Sequence, residues 1–480
     1  MRKSSHLIGL CGAGMSAVAY LLKERGDVVT GADEGFYPPV SDYLTKIGQE
    51  CLVGYKAENL PEDPDLIVIG KNAKLVPETN PEVAAAFAQH KDKIRSFPEV
   101  LADLTADRQR TVIAGSYGKS TLTSLITHCL VQAGKAPGYF IGAIPNDLEH
   151  SSSLGGDGPF VFEGDEYPSA NWDDRPKFVH YQPHTVVLTS ATHDHVNIYP
   201  TIEDYHRPFT DLLQGLQDRS GTLVGCIDEH HAARFFHEYM GPKISYGLQP
   251  GCNFSAANIV LGDPLTETPT RFDLCAGAEI LANMATSQMG RHAVQNICGA
   301  AAYLLGQNIL TQEELRQGVA TFSGLARRLD RKAKTSALPI YEGFGSSYEK
   351  ARAAIDAMKA HFPDRRLVAM FEPHTFTWRN KDALSQYDTA FEGTQTVWLY
   401  APPTQGADTH AQASLEDIHT RLSAAHPDVR TFGKGATNDI LETLDPQTDV
   451  LLILSSGSFD GTLSGFLAAA PGRYPAKSNA

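Results

Sequence analysis

The stretch Thr111-Val-Ile-Ala-Gly115-Ser116-Tyr-Gly118-Lys119-Ser120-Thr121-Leu122 decides the fold. Thr111 to Ala114 is a short apolar run of the kind buried in a parallel sheet. Gly115 and Gly118 free the backbone to aim several N–H groups at one anion. From Lys119 onward the residues favour a helix, whose positive N-terminal end adds to the same anion site. Strand, glycine turn, lysine, hydroxyl and helix arrive in the order of a phosphate-binding loop, although the spacing is shorter than the usual pattern. Lys119 is placed to contact the β- and γ-phosphates of ATP, and a hydroxyl, that of Ser120, to bind Mg²⁺. Gly115, Ser116, Gly118, Lys119, Ser120 and Thr121 are therefore the candidate nucleotide-binding residues. The plainer reading is a glycine-rich strand–helix turn.

The same alternation extends in both directions. Upstream, His6 to Gly9 reads as a strand, Gly9-Leu-Cys-Gly12-Ala-Gly14 as a glycine turn and Met15 to Arg25 as a helix. Val28 to Gly31 is a second strand, closing at Asp33, and Leu66 to Ile69 another. A nucleotide pyrophosphate at this helix start would rest on Gly12, Gly14 and Met15, with Asp33 accepting from a ribose or base. The order G-x-x-G-x-G departs from the dinucleotide fingerprint, and a structural turn or an NAD(P) site are the alternatives. A second nucleotide loop at Gly115 makes a nucleotide-linked substrate plus ATP the more economical account.

Downstream, Phe160 to Phe162 and Thr185 to Leu188 read as strands, and a helix starts near Arg291 and runs through Ala302. Thr335 to Pro339 reads as a linker. Strand Ile340-Tyr341, helix Tyr348 to His361, and strands Leu367 to Phe371 and Val450 to Leu454 follow. Alternating strands and helices predict an α/β protein with parallel sheets. Three units are expected, at 1–107, 108–334 and 335–480. Ser151 to Gly158 reads as a flexible loop, and the tail after Pro471 as frayed.

Bulk composition narrows the partners. The chain has 480 residues, 42% hydrophobic and 20% charged, as in ordinary globular proteins. A net charge of −15 argues against a nucleic-acid or anionic-membrane surface. No apolar run is long enough to span a bilayer, and Met1 to His6 lacks the features of a signal peptide. Cytoplasmic residence is the expectation. The seven cysteines form no C-x-x-C pair, so they suggest neither a zinc site nor a disulfide framework. The cluster Asp228-Glu-His230-His231 with His237 reads as a solvated helix face, because its side chains do not converge.

The phosphate loop, Glu163-Gly-Asp-Glu166-Tyr and His193-Asp-His195 occur in one order. That order resembles the Mur ligases over nearly the whole chain. Tyr37-Pro-Pro-Val-Ser41, Glu163-Gly-Asp-Glu-Tyr-Pro-Ser-Ala170, Lys177-Phe-Val-His-Tyr181 and Phe371-Glu-Pro373 are most similar to the branch that recycles L-Ala-γ-D-Glu-meso-diaminopimelate onto UDP-N-acetylmuramate. The branch that adds L-alanine lacks the first and third of these. Its third-domain arginine would fall at Trp378, whereas this chain carries Arg379.

The resemblance implies a Rossmann-like UDP-sugar domain, a P-loop-type central ATPase domain and a Rossmann-like C-terminal domain that closes over the nucleotide. It implies an ATP-dependent ligase that forms an acyl phosphate on the muramate carboxylate before a peptide or amino-acid amine attacks. It further implies Glu163 as a magnesium ligand, His195 as the second-metal histidine, and His292 and Asn296 as adenine contacts. Arg327 or Arg328 resembles the arginine that reaches the γ-phosphate; we take Arg327, with Lys119, Glu163 and His195, as the catalytic set. Arg379 is the candidate for a substrate carboxylate, and a monomer or weak homodimer is expected. The bland alternatives are a strand-end acid, a loop histidine and surface arginines. Asp165 and Glu166 are ranked below these as residues that shape the loop.

The third domain departs from the pattern. The family's paired acids and paired histidines appear as Glu342-Gly343 and Ser346-Ser347, with Tyr348 for the following proline. Glu342 is the remaining candidate for the ribose. Ala293 and Ser190 stand where asparagine is usual, and Ser455-Ser-Gly-Ser458 lacks its asparagine. These changes keep two rivals open: a ligase for another amine, and a weakened homologue that binds the UDP-sugar alone.

Overall fold

The computed structural model describes residues 2–36, 40–195, 198–403 and 411–475; Tyr37-Pro38-Pro39 lies outside them. Its first sheet has five parallel strands in the order Leu52–Val53, Val28–Asp33, Ser4–Ile8, Leu66–Ile69, Ile94–Arg95. The first strand in sequence sits in the middle, so the winding reverses there. Ligands of such sheets bind beyond the carboxyl ends of the strands at that reversal. The glycine turn leaves the sheet at this point, and helix Ala13–Arg25 starts from Gly12. Gly9 takes φ +86°, and a Cβ on Gly31 would lie 2.6 Å from the Leu7 carbonyl oxygen, so neither position tolerates a side chain.

The second sheet has ten strands. Its centre is parallel, in the order Lys243–Tyr246, Thr222–Cys226, Thr185–Leu188, Arg110–Ala114, Phe160–Glu163, Gly138–Phe140. Arg110–Ala114 and Thr185–Leu188 are buried along their whole length, as continuous apolar runs in a sheet covered on both faces should be. Helices Lys119–Gln132 and Arg291–Leu304 share one apolar cluster over this centre. Antiparallel strands extend both edges. One of them corrects the expectation of a loose loop at 151–158: Ser152–Ser153 pairs with Gly138–Phe140, and the Ser152 hydroxyl donates to the Ala17 carbonyl at 3.2 Å. Two residues of edge strand carry no alternation to read.

The third sheet orders Arg328–Lys332, Ile340–Gly343, Asp449–Leu454, Arg366–Phe371, Thr396–Tyr400, Val429–Phe432, all parallel except the first pair. It therefore begins before residue 335. Arg-Leu-Asp-Arg-Lys is a polar edge strand, half-buried throughout, and offers no apolar run to mark it. Helix Thr462–Arg473 continues through Pro471, and the Tyr474 hydroxyl donates to the Leu444 carbonyl at 2.9 Å, so the chain is docked as far as Tyr474. One apolar cluster runs from Ala17, Val18 and Leu21 of the first unit to Phe140, Phe160 and Phe162 of the second. No helix among the described residues is long and apolar enough to cross a membrane.

Candidate active site

Three neighbouring interior strands of the central sheet deliver the expected segments to their carboxyl ends. The phosphate loop follows Arg110–Ala114, Glu163 ends Phe160–Glu163, and the histidine segment follows Thr185–Leu188. Gly115 takes φ +143°, and a Cβ there would stand 2.2 Å from the Thr189 hydroxyl; Gly118 takes φ +84° and caps the helix. The backbone N–H groups of Gly118, Lys119, Ser120 and Thr121 have no acceptor among the described residues. Orphan donors converging at a helix start make a site for an anion. Asn296 reaches the loop from the side, its Oδ1 placed 3.3 Å from where a Cβ on Gly118 would be.

Around this loop the ionisable groups are tied together. Lys119 Nζ donates to the Gly115 carbonyl and to Glu166 Oε2 at 3.0 Å. Glu166 is fully buried and also accepts from the Tyr205 hydroxyl at 3.1 Å. Its other partner is His195, whose Nε2 lies 3.2 Å from Glu166 Oε1. Burial alone would raise the Glu166 carboxyl, but the positive charge of Lys119 and the hydrogen bond from His195 hold it well below the usual carboxylate range. Burial likewise works against the Lys119 ammonium, and Glu166, Asp165 and Glu163 together override it and keep the charge on. His195 sits at φ +55°, and its Nδ1 meets the Tyr167 hydroxyl at 2.8 Å. Nε2 faces a carboxylate, so the network assigns the proton there and makes Nδ1 the acceptor.

Glu163 stands on the far side of the loop. Its Oε1 accepts from the Ser120 hydroxyl at 2.7 Å and its Oε2 from the Gly142 N–H at 2.6 Å. A serine hydroxyl and a carboxylate oxygen this close, beside free loop N–H groups, are hard oxygen donors suited to Mg²⁺ next to a phosphate. Lys119, Ser120, Glu163 and His195 thus lie around one loop, Glu166 joining Lys119 to His195 and Glu163 joining Ser120. The residues also fit a triphosphate: the open N–H groups, Lys119 and a neighbouring arginine supply the opposite charge.

That arginine is Arg328. Its guanidinium stacks on the Phe344 ring at 4.3 Å and makes no hydrogen bond or ion pair among the described residues. Burial lowers its ordinarily high pKa, and the Glu163 carboxylate it faces pulls the other way. Arg327, the expected residue, is turned elsewhere. Its guanidinium donates to Glu342 at 2.7 Å and to the carbonyls of Ser455, Ser456 and Gly457 at 2.8 to 3.3 Å. Arg327 takes φ +63°, a left-handed residue at the turn, and its guanidinium also lies over the Phe344 ring, at 5.4 Å.

Two family models match the chain. Residues 113–304 match the Mur ligase middle domain, and residues 4–109 match the Mur ligase family catalytic domain. The chain belongs to the Mur ligase family. It is accordingly an ATP-dependent ligase of the amide-forming kind. It is 27% identical over 464 residues, 96% of this chain and 97% of the relative, to the UDP-N-acetylmuramate–L-alanyl-γ-D-glutamyl-meso-2,6-diaminoheptandioate ligase of Haemophilus influenzae. It is 29% identical to the UDP-N-acetylmuramate–L-alanine ligase of Chlorobium phaeovibrioides, over 83% of this chain and 81% of the relative. In fold it is similar to the crystal structure of the UDP-N-acetylmuramate–alanine ligase of Thermotoga maritima, with TM-score 0.76, 19% identity, and 97% and 98% of the two chains covered.

Other expected residues of this Mur ligase divide. At the first glycine turn, the N–H groups of Ala13, Gly14 and Met15 are open to a ligand among the described residues, whereas the Met15 side chain is buried in the core. Gly14 also has a packing reason, since a Cβ there would press on the Phe97 ring at 3.3 Å. Asp33 is already engaged: its carboxylate accepts from the Cys11 N–H at 2.8 Å and the Tyr55 hydroxyl at 3.2 Å, so it shapes the turn. His292 is exposed at its helix start. Glu342 is buried, and it pairs with Arg327 and Lys332 at 2.7 and 3.1 Å. Arg379 is buried too, and its guanidinium donates to the Pro403 carbonyl at 3.0 Å and to Gln412 Oε1 at 3.2 Å.

Two more expectations change. Asp228 and Glu229 are half-buried acceptors. Asp228 takes the N–H groups of Leu248 and Gln249 and the Gln295 amide, and Glu229 takes those of Ala191, His231 and Ala232. Only the histidine end of that cluster keeps a solvated reading. Ser190, standing for asparagine, accepts from the Tyr117 N–H at 3.0 Å and so supports the phosphate loop itself.

Proposed function

We propose that this Mur ligase joins the carboxylate of UDP-N-acetylmuramate to the amine of the peptide L-Ala-γ-D-Glu-meso-diaminopimelate, in the recycling of peptidoglycan in the cytoplasm. The observation that carries the reading is the set of Lys119, Ser120, Glu163, Glu166 and His195 around the phosphate loop, at the carboxyl ends of three interior strands. The H. influenzae relative, matched along nearly its full length, bears that substrate in its name. Residues 1–107 hold the UDP-sugar at the first glycine turn, 108–334 bind ATP, and 335–480 close over it.

In this reading the γ-phosphoryl group passes from ATP to the muramate carboxylate, the peptide amine attacks the acyl carbon, and phosphate leaves. The enzyme's task is to neutralise charge and align reactants. The loop N–H groups and Lys119 grip the β- and γ-phosphates, and Arg328 takes charge on the transferring group. Ser120 and Glu163 hold Mg²⁺, which offsets the repulsion between phosphate and carboxylate. Glu166 keeps Lys119 charged and His195 oriented. For His195 to ligate a metal it must release Glu166, so its role here is to position the carboxylate site.

Beside His195, between the central and third units, lies a cavity of about 350 Å³ lined by His193, Asp194, Tyr348, Glu349, Thr377 and Gln386. Its acids suit a ligand bearing ammonium groups. Asp194 is held by Lys350 at 3.3 Å, while Glu349 has no ion-pair partner among the described residues. A second reading is a ligase for L-alanine, since relatives with that name match at similar identity. Phosphate release, measured with UDP-N-acetylmuramate, ATP and Mg²⁺ against a panel of amines, separates the two. The tripeptide should give the highest kcat/KM. A preference for L-alanine would replace it, and sugar-nucleotide binding without ADP formation would sink both.

A further inference from the structure

The segment Asp173-Asp-Arg175-Pro-Lys-Phe-Val-His180 lies outside the phosphate site except through Lys177, whose Nζ meets Asp165 at 2.6 Å. Strand Asp173–Pro176 and helix Lys177–His180 fold so that Asp173 and His180 face each other, with His180 Nε2 3.1 Å from Asp173 Oδ2. Glu99, on helix Phe97–Leu104 of the first unit, completes a group in which one ligand atom from each residue lies within 4.8 Å of the others. The His180 side chain is only 7% exposed, and its Nε2 is sealed from solvent without an aligned hydrogen bond. A buried ring nitrogen that faces a carboxylate without an aligned hydrogen bond is poorly satisfied, and such a group asks for an explanation.

We propose that Glu99, Asp173 and His180 form a binding site for a divalent transition ion of zinc's class, which ties the first unit to the central one. One imidazole nitrogen and two carboxylate oxygens suit zinc, whereas Mg²⁺ prefers oxygen alone. Two carboxylates and a neutral imidazole also balance the charge of the ion. The Glu99 Oε2 atom is used by the cap of its own helix, accepting from the Ser96 N–H at 2.7 Å and hydroxyl at 2.9 Å. Oε1 remains for the ion. Arg175 now forks onto Asp173 at 2.9 and 2.7 Å, but its side chain is 64% exposed and can swing into solvent as the ion takes its place. A cavity of about 390 Å³, lined also by Arg95, Asp103 and Arg219, opens on the cluster and gives a water access to the remaining position. The site does not depend on the ligase reading.

The test uses the full chain with any affinity tag removed, stripped with chelator and kept in excess Mg²⁺ so that oxygen-only sites are filled. Titration with Zn²⁺ in a calorimeter, and with Co²⁺ followed by its visible absorption, should give one tight site per chain and a raised unfolding temperature. Glu99→Gln preserves the helix cap, and His180→Gln and Asp173→Asn keep size. Each folded variant should bind Zn²⁺ at least about tenfold more weakly and lose the temperature shift. No stoichiometric Zn²⁺ uptake by the parent chain overturns the proposal. So does unchanged uptake in Glu99→Gln, which decides the matter if the other two variants fail to fold.

Discussion

The Glu166 carboxylate meets Lys119 Nζ at 3.0 Å with no exposure to solvent, and in doing so fixes the one flexible cation of the phosphate loop. A glutamine in its place keeps the shape and removes the charge. Glu166→Gln should therefore lower kcat by about 10²-fold, ~2.7 kcal/mol of transition-state stabilisation, with a smaller effect on KM for ATP. Glu166→Ala should add a fall in stability of about 3–5 kcal/mol, because a buried ammonium loses its partner. Steady-state phosphate release and thermal unfolding read the two effects, and an unaltered kcat in Glu166→Gln would remove the residue from the site. The acid side follows from linkage. The folded carboxyl is held below its unfolded value of about 4.3, so its contribution is present above that pH and lost as pH falls through the folded value. Glu166→Gln should flatten the acid limb of the stability profile.

Arg327 and Arg328 are neighbours in sequence with opposite duties. Arg328→Ala should cost about 10²- to 10³-fold in kcat and leave the unfolding temperature nearly unchanged, since that guanidinium only stacks on Phe344. Arg327→Ala should do the reverse. It takes one of two cations from Glu342, leaving Lys332, and removes the donor from three backbone carbonyls, at about 2 kcal/mol or more, and should show first as a lower unfolding temperature. If Arg327→Ala alone abolished turnover in a protein of unchanged stability, the assignment would swap.

The difference between these two arginines also marks how far the sequence could be read. Parallel strands such as Thr185–Leu188 and Asp449–Leu454 announce themselves, because burial on both faces demands an unbroken apolar run. The phosphate loop is legible for the same kind of reason: glycine, lysine and hydroxyl have few other uses in that order. The edge strands Ser152–Ser153 and Arg328–Lys332 carry no such demand and were not legible. Nor was the role of Glu166, which looks like any loop acid until Lys119, Tyr205 and His195 arrive from three separate elements. A left-handed turn at Arg327 likewise leaves no mark in spacing, and Arg379 gives no sign that Pro403 and Gln412, beyond the strand Thr396–Tyr400, accept from it.

Glu163 and Ser120 share a hydrogen bond of 2.7 Å at the proposed Mg²⁺ position. Removing the charge should weaken the ion more than the nucleotide. Glu163→Gln should raise the half-saturating Mg²⁺ concentration by about 10- to 100-fold and lower kcat even at saturation. Phosphate release across a Mg²⁺ series at fixed ATP measures this. A parallel rightward shift for ATP with no change for Mg²⁺ would show that Glu163 serves the nucleotide instead.

His361 joins the third unit to the central one through both ring nitrogens. Its Nε2 accepts from the Gly290 N–H at 2.9 Å, one residue before the helix that carries His292 and Asn296, and its Nδ1 donates to the Gly262 carbonyl at 2.9 Å. Only the neutral ring can do both. Burial holds its pKa below the ordinary histidine value, against the pull of the Gly262 carbonyl and of Asp263. The unfolded chain therefore binds the extra proton more readily, so this contribution is complete above about pH 6.5 and declines as pH falls toward the folded value. His361→Gln, which can accept and donate without titrating, should lose stability at neutral pH through poorer fit. It should, however, change less than the parent chain between pH 7 and pH 5. Chemical unfolding at a series of pH values tests the difference in slope. Equal slopes would mean that the joint between the units opens for another reason, and that His361 is a passive strut.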